Sequence, residues 1–523
     1  VTPPPGKATV SHTSLSTASF PRLAGSFVAD SAALLHNLLA WSLCMPTHRG
    51  RRDVDVKETT MEATRRSGLA VIAILLFLAS SPAIAGVERR RAAVTPVNEW
   101  TKYCASLSMD GAANGERILT TESAPRLQLL WSRTLNGPIA SAPSVARGKV
   151  YVGDWGGTEW ALHPASGAVI ASTDLGQTTA NHCNPEVLGI SSSPAIEGNL
   201  LYLAGGDDGF YALDADTLKT VWRRSLGDNS VAGGYYGWCS PAVVAGKVLQ
   251  GIASDCDDPF PRGALTALDP ATGASLETAY FVPEGLVGGG VWTSPAVDTG
   301  HRKIFVTTGS AHSFDDGDSF SMVRLDLDTL LIEDRWKLPH EDGYQWDADW
   351  GSSPTLFTDA AGRELVGAGQ KDGGYYVFDR NDIAAGPVWI AGIARGGEVP
   401  QAGDGTLSTA AFDGKKLYVG GGVPPDNADD LVLGSVCAVD PSDGEVLWRY
   451  TLSGPVIAPV AFANGVVFAV GGDSVVALDA ETGRALWSYK MKAWGFGGVA
   501  ISQGHLYVGD LFGTIYAFAT DTN

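Results

Sequence analysis

From about residue 137 to the end, one frame recurs along this chain. A Pro or small residue opens a short apolar run, a Gly turn follows, then Tyr-Val-Gly or a variant, then Ala-Leu-Asp, Thr-Gly and Trp. The clearest copies are 202–222 (YLAGGDDGFYALDADTLKTVW), 436–448 (VCAVDPSDGEVLW) and 467–487, which contains VVALDAETGRALW. The Asp that ends each third strand serves as a ruler: His163 stands in its place in the first copy, then come Asp214, Asp269, Asp326, Asp379, Asp440 and Asp479. That spacing of roughly 40 to 60 residues is the range of propeller blades and not of helical solenoids.

Within each copy, runs such as Val150-Tyr151-Val152-Gly153 have period two and are separated by Gly-, Asn- and Asp-rich turns, the pattern of strands; no part of the repeat region argues for a long helix. An eighth copy, 498–519, has three strands' worth of sequence and lacks the closing Thr-Gly-x-x-x-Trp strand. The missing strand is at the other end, because 126–135 (RLQLLWSRTL) reads as an isolated outer strand before the first full copy. The expected fold is therefore an all-β, eight-bladed β-propeller over residues 126–523, closed by that N-terminal strand so that no sheet edge is left to template aggregation. The 64 Gly and 15 Trp suit Gly-turned, aromatic-stapled sheets. A formal charge of -20 argues against nucleic acid or an anionic membrane surface as partner.

The N-terminal part reads differently. Arg65-Arg66, an apolar run 69–79 and Ser-Ser-Pro-Ala83-Ile84-Ala85 form a secretory signal over 61–85 that starts at Met61 and is cleaved near Ala85, which places the mature chain in the periplasm or outside the cell. The apolar run is too short to be a spanning helix. Residues 1–60 read as upstream sequence translated from a wrong start, the alternative being a genuine extension, and 86–125 as a lead-in to the ring. No Cys follows Ala85 to carry a lipid anchor. Export permits disulfides. Cys239 and Cys256 flank the hairpin that turns at Ala245-Gly246 and are the expected pair, with Cys183 as competitor. No CxxCH occurs, so no c-type haem is fused to the chain.

In a propeller, the loops leading into each first strand and those joining second to third strands share one face around the central channel. Trp292, Gly309-Ser310 and 311–319 (AHSFDDGDS) of the fourth copy, 255–261 of the third, Gln370-Lys371-Asp372-Gly373 of the fifth and the loop 340–349 (HEDGYQWDAD) all fall there. Clustered carboxylates from four loops, with Lys371, Trp292 and Trp346 at the same mouth, make this the candidate site.

These loops carry a resemblance. VWTSPAVDTGHRKIFVTTGSAHSFDDGDSFSMVRLDLDTL, WDADWGSSPTLF and GAGQKDGGYYVFDR resemble the quinoprotein alcohol dehydrogenases, most of all the polyvinyl-alcohol dehydrogenase-like branch. The resemblance implies a periplasmic alcohol dehydrogenase that holds pyrroloquinoline quinone (PQQ) and Ca2+ at the channel mouth and passes electrons to a separate cytochrome c or other acceptor. Position by position, it implies that Trp292 is the platform on which the flat quinone lies, Asp318 the general base on the substrate hydroxyl, and Lys371 the cation that polarises the quinone carbonyls. Asp258 and Ser310, with Asp318, are the implied oxygen ligands of the metal.

Two departures stand out. Where the family usually has Thr-Gly-Asn, this chain has Thr308-Gly309-Ser310, and no two cysteines are adjacent to form the family's vicinal disulfide. A non-catalytic propeller serving as a protein-binding scaffold in the cell envelope is therefore the alternative reading, and a sugar- or polymer-binding propeller a third.

Overall fold

The computed structural model describes residues 98–178, 185–313, 317–339, 347–397, 399–429 and 431–520. The expected upstream segment, the signal peptide and the start of the lead-in lie outside them. The sheets all belong to the unit Arg90–Asn523.

Eight antiparallel sheets, each a four-stranded meander, follow one another along the chain. The first seven blades span 144–174, 195–225, 242–280, 296–337, 355–392, 411–452 and 461–490. The eighth consists of 500–520 completed on its outside by the strand Leu127–Thr134, which pairs with Thr514–Thr520 in the register Leu127↔Thr520 to Thr134↔Thr514. The expected closure by the segment 126–135 is thus what the chain does. Short innermost strands of neighbouring blades touch, and that of the eighth blade touches that of the first. The third blade gains an extra two-residue strand, Tyr235–Tyr236, paired with the end of Lys247–Ser254.

The recurring residues each have a structural task. Asp214, Asp269, Asp326 and Asp479 accept the backbone N–H groups two and three residues on and the hydroxyl of the following Thr, closing the outer turn. Where the outer turn carries Gly, the Trp of the preceding blade lies on it. A Cβ on Gly167, Gly273, Gly444 or Gly483 would sit 2.5, 2.5, 2.6 or 2.7 Å from a ring atom of Trp131, Trp222, Trp389 or Trp448. Each of these indoles also donates Nε1–H to a backbone carbonyl of the next blade, at Pro164, Pro270, Pro441 and Ala480. At the inner end a belt of hydroxyls links successive blades: the backbone N–H groups of Ala142, Ser193, Ser240, Ser294 and Ser353 donate in turn to Ser193, Ser240, Ser294, Ser353 and Thr409. The Ser-Pro pairs of the sequence frame are these belt positions.

The lead-in does more than lead in. Backbone groups of Trp100, Thr101, Leu107, Ser108, Asp110 and Gly111 bond to Val145, Ile196, Val297, Leu356, Phe412 and Phe462, the middle residues of six innermost strands or their hairpin side, and Asn98 bonds to Ile501 and Ser502. The segment therefore runs across the end of the channel opposite the long loops.

Candidate functional site

At the loop end, the second-to-third connections differ in length. In the second, fifth and eighth blades a tight turn is capped by Asp207, Asp372 or Asp510, each accepting a backbone N–H two residues on and a Tyr hydroxyl from Tyr211, Tyr376 or Tyr516. In the third and fourth blades the connections lengthen to 255–263 and 308–320 and no longer satisfy themselves in this way.

Three carboxylates converge there. One oxygen each from Asp257, Asp347 and Asp349 lie within 4.8 Å of one another. Asp257 belongs to the long loop of the third blade, where it takes a left-handed φ of 64° and Ser254 Oγ both accepts its N–H and donates to its carboxylate. Asp347 and Asp349 end the segment leading into the fifth blade, two residues apart, so that on extended backbone both side chains leave on one side. Lys371, from the tight turn of the fifth blade, donates to Asp347 Oδ1 at 2.5 Å and Asp349 Oδ2 at 3.2 Å with only 11% of its side chain exposed. Ser310 Oγ donates to Asp349 Oδ1 at 2.5 Å.

Trp292 stands beside this group. A Cβ on Gly309 would lie 3.2 Å from Asp349 Oδ1 and 3.3 Å from Trp292 Cδ1, so the glycine leaves room for the carboxylate and the indole to approach from either side. The indole is half-buried and its Nε1 is buried with no hydrogen-bond partner among the described residues. An unspent buried donor of this kind is unusual.

Three acids against one ammonium make the electrostatics unbalanced. Burial, reinforced by Asp349, pushes Asp257 up to about 7 and Asp347 up to about 6. Burial alone raises nearby Asp255 to about 6. Burial pulls Lys371 down, but Asp349 and Asp347 outweigh it and hold the ammonium above its ordinary range. Three carboxylate oxygens within 4.8 Å of one another are the donor chemistry of a hard metal ion.

The residues expected from the sequence fall on both sides of this boundary. Trp292, Ser310 and Lys371 are brought together around Asp349. Asp258 is exposed, and the position inside the carboxylate group is taken by its neighbour Asp257, because the left-handed turn there sends successive side chains different ways. Asp318 is not in the group either. Its carboxylate pairs with Arg335 Nε at 2.7 Å, on the outer strand of the fourth blade, and its N–H donates to Phe281 O. Trp346, Asp315 and Asp316 lie outside the described residues. Asp347 and Asp349 were not singled out from the sequence as individual site residues, although the Asp-Ala-Asp spacing is the signal that two carboxylates share one side.

The expected Cys239–Cys256 disulfide is not formed. Cys239 is a buried free thiol whose sulfur accepts the Gly251 N–H, as its hairpin position dictates, and Cys104 and Cys437 are also free. Cys256 is disulfide-bonded, and the competing Cys183 lies outside the described residues. No helix among the described residues is long and apolar enough to cross a membrane.

Comparison with known proteins follows the same lines. The chain is 25% identical over 409 residues to a polyvinylalcohol dehydrogenase of Sphingopyxis sp. (strain 113P3), an alignment covering 68% of this chain and 60% of that protein, so the chain spans about 60% of the relative's length. Its fold matches a quinohemoprotein alcohol dehydrogenase from Comamonas testosteroni (TM-score 0.66, 19% identity, 82% of this chain and 81% of that one). It matches a europium-containing methanol dehydrogenase equally (TM-score 0.66, 18% identity, 81% and 98%). The repeats themselves decide membership: the PQQ_2 family model, described as outer membrane protein assembly factor BamB, matches residues 123–384, 382–495 and 474–523, and the chain belongs to that family.

Proposed function

We propose that this chain is a PQQ-dependent dehydrogenase that oxidises an alcohol at the channel mouth with a bound metal ion. The observation that carries the reading is the carboxylate group Asp257, Asp347 and Asp349 with Lys371 and the half-buried Trp292 beside it. The residues fit the implied groups. Three carboxylate oxygens with Ser310 nearby suit Ca2+, and the high local negative charge suits the trivalent ion that the europium-containing relative is named for as well. The Trp292 face suits a planar tricyclic ring, and Lys371 suits its carbonyl oxygens.

When bound, the quinone supplies a two-electron acceptor. What the chain supplies is placement and charge. Trp292 would carry the flat face of the ring, Lys371 would hold positive charge near its carbonyl oxygens, and Asp257, Asp347 and Asp349 would hold the metal ion. Asp347 would also take the role expected of Asp318: with 29% of its side chain exposed it is the more open of the two acids paired to Lys371 and would accept the substrate hydroxyl proton. Ser310 orients Asp349.

The substrate fits a polymeric or secondary alcohol with a hydrocarbon backbone. Val231, Leu286, Val399, Leu431 and Phe512 are exposed on loops of this face, Leu431 by 78%, and offer apolar side chains to a long amphiphilic chain. Electrons leave to a separate cytochrome or other acceptor, and the protein works in the periplasm after cleavage near Ala85. The family's description favours a second reading, a scaffold in envelope assembly. Purified chain supplied with PQQ and Ca2+, or PQQ and a lanthanide, is expected to reduce an artificial dye with simple secondary alcohols. No dye reduction with either ion, with PQQ unbound, leaves the scaffold as the better reading.

A further inference from the structure

We infer that Gln370 is a positioning residue that sets the separation of Asp347 and Asp349 and so tunes the affinity of the site for its cation. The inference rests on the cation reading above. Gln370 immediately follows the second strand of the fifth blade (Glu364–Gly369) and is completely buried. Its side-chain Nε2 donates to the carbonyl of Ala348 at 2.7 Å, and Ala348 is the residue between the two carboxylates. Its Oε1 accepts the N–H of Asp372. The backbone of Gln370 is fixed independently, by donation to Gly374 O and acceptance from Thr406 N–H of the next blade.

One side chain thus adds a bond between two segments that also meet through Lys371 Nζ on Asp347 and Asp349. On one side is the strip Asp347-Ala348-Asp349; on the other is the turn that carries Lys371 and Asp372. The neighbouring contact is a backbone bond, Lys371 N–H to Asp349 O at 3.1 Å, and the next is the bridge between Trp350 and Gln370. Without the amide, the Ala348 carbonyl is held only by its flanking residues. Three like-charged carboxylates repel, so the strip relaxes in the direction that separates them, which weakens a site needing their oxygens close together. A partner that orients ligands without touching the metal typically governs affinity by about 10–100-fold.

The test uses the full chain at pH 8, above the raised values of Asp257 and Asp347. Ca2+ is titrated by calorimetry and Tb3+ by luminescence. Gln370→Met keeps length and loses both bonds, and Gln370→Glu keeps an acceptor for Asp372 N–H but cannot donate to Ala348 O while ionised. Gln250→Met is the control: Gln250 is equally buried and donates to Cys239 O and Gly251 O in the third blade. Both Gln370 variants are expected to bind either ion about 10–100-fold more weakly than wild type. The control is expected to melt at lower temperature with affinity within about twofold of wild type. Wild-type affinity in a folded Gln370 variant, or equal loss in the control, overturns the positioning role while leaving the cation site standing. A wild-type chain that binds neither ion removes the site itself.

Discussion

The second-to-third connections of the fifth and third blades occupy equivalent places and both carry aspartate, yet the two put it to opposite uses. In the fifth blade, Asp372 is spent on its own turn, accepting Gly374 N–H and the Tyr376 hydroxyl. In the third, the longer loop turns Asp257 through a left-handed residue, and its carboxylate faces Asp349 and Asp347. A repeat that satisfies its own polar groups makes a scaffold. Chemistry is available where extra residues turn a carboxylate toward those of another blade. The fifth blade shows both in adjacent residues, since Lys371 reaches across to the acids while Asp372 holds the turn.

The largest expected effect on this contrast comes from Asp349→Asn. Asp349 is the carboxylate in contact with both Lys371 and Ser310, and its loss should lower cation affinity by 100-fold or more, about 3 kcal/mol, as calorimetry would measure. The same change at Asp207, Asp207→Asn, should leave that affinity unaltered and lower stability by about 1–2 kcal/mol in denaturant unfolding, because it weakens a turn cap, a Tyr hydroxyl bond and an exposed ion pair with Arg223. If Asp207→Asn abolished cation binding, the division between scaffold and site would be broken.

A structural counterpart of intermediate size is Trp222→Ala. The indole covers Gly273 and bonds to Pro270 O, so truncation should cost about 3 kcal/mol in unfolding with cation affinity retained.

The smallest effect sharpens the comparison through pH. Asp255, Asp257 and Asp347 have folded values raised above the ordinary carboxylate range, so the cation-free protein gains stability from them that is fully present below about pH 4 and is lost as pH rises through 6 to 7. Saturating Ca2+ should remove that decline, since ligation favours the ionised forms. Melting curves from pH 4 to 8 with and without Ca2+ check this, and parallel curves would show that the acids do not face a cation.

Much of the fold was legible because its signals are local. The outer turn is written as Asp-x-x-Thr, the blade staple as Trp, and the inner belt as Ser-Pro, each within a few residues of the strand it serves. The strand 127–134 could be found because its absence from the eighth copy was visible. The channel-crossing path of 98–111 could not be, since its bonds are backbone bonds to strands scattered over the whole chain.

The site was half legible for the same reason. Trp292 and Lys371 lie at fixed offsets from strands. Asp257 and Asp258 are distinguished by a backbone angle that no spacing records, and Asp318 is drawn off by an arginine on the outer strand of its own blade. Asp347 and Asp349 act as one group with Asp257 only because the third and fifth blades' loops meet across the fourth.

The central claim, that Trp292 and the acidic group hold a quinone and a metal ion together, is tested most directly by titrating PQQ into the purified chain with and without Ca2+, in wild type and in Trp292→Ala. The account predicts tight binding in wild type that requires the cation, and no measurable binding in Trp292→Ala although that variant still takes up Ca2+. Equal PQQ affinity in wild type and Trp292→Ala, or no binding by wild type with Ca2+ or a lanthanide present, would contradict it.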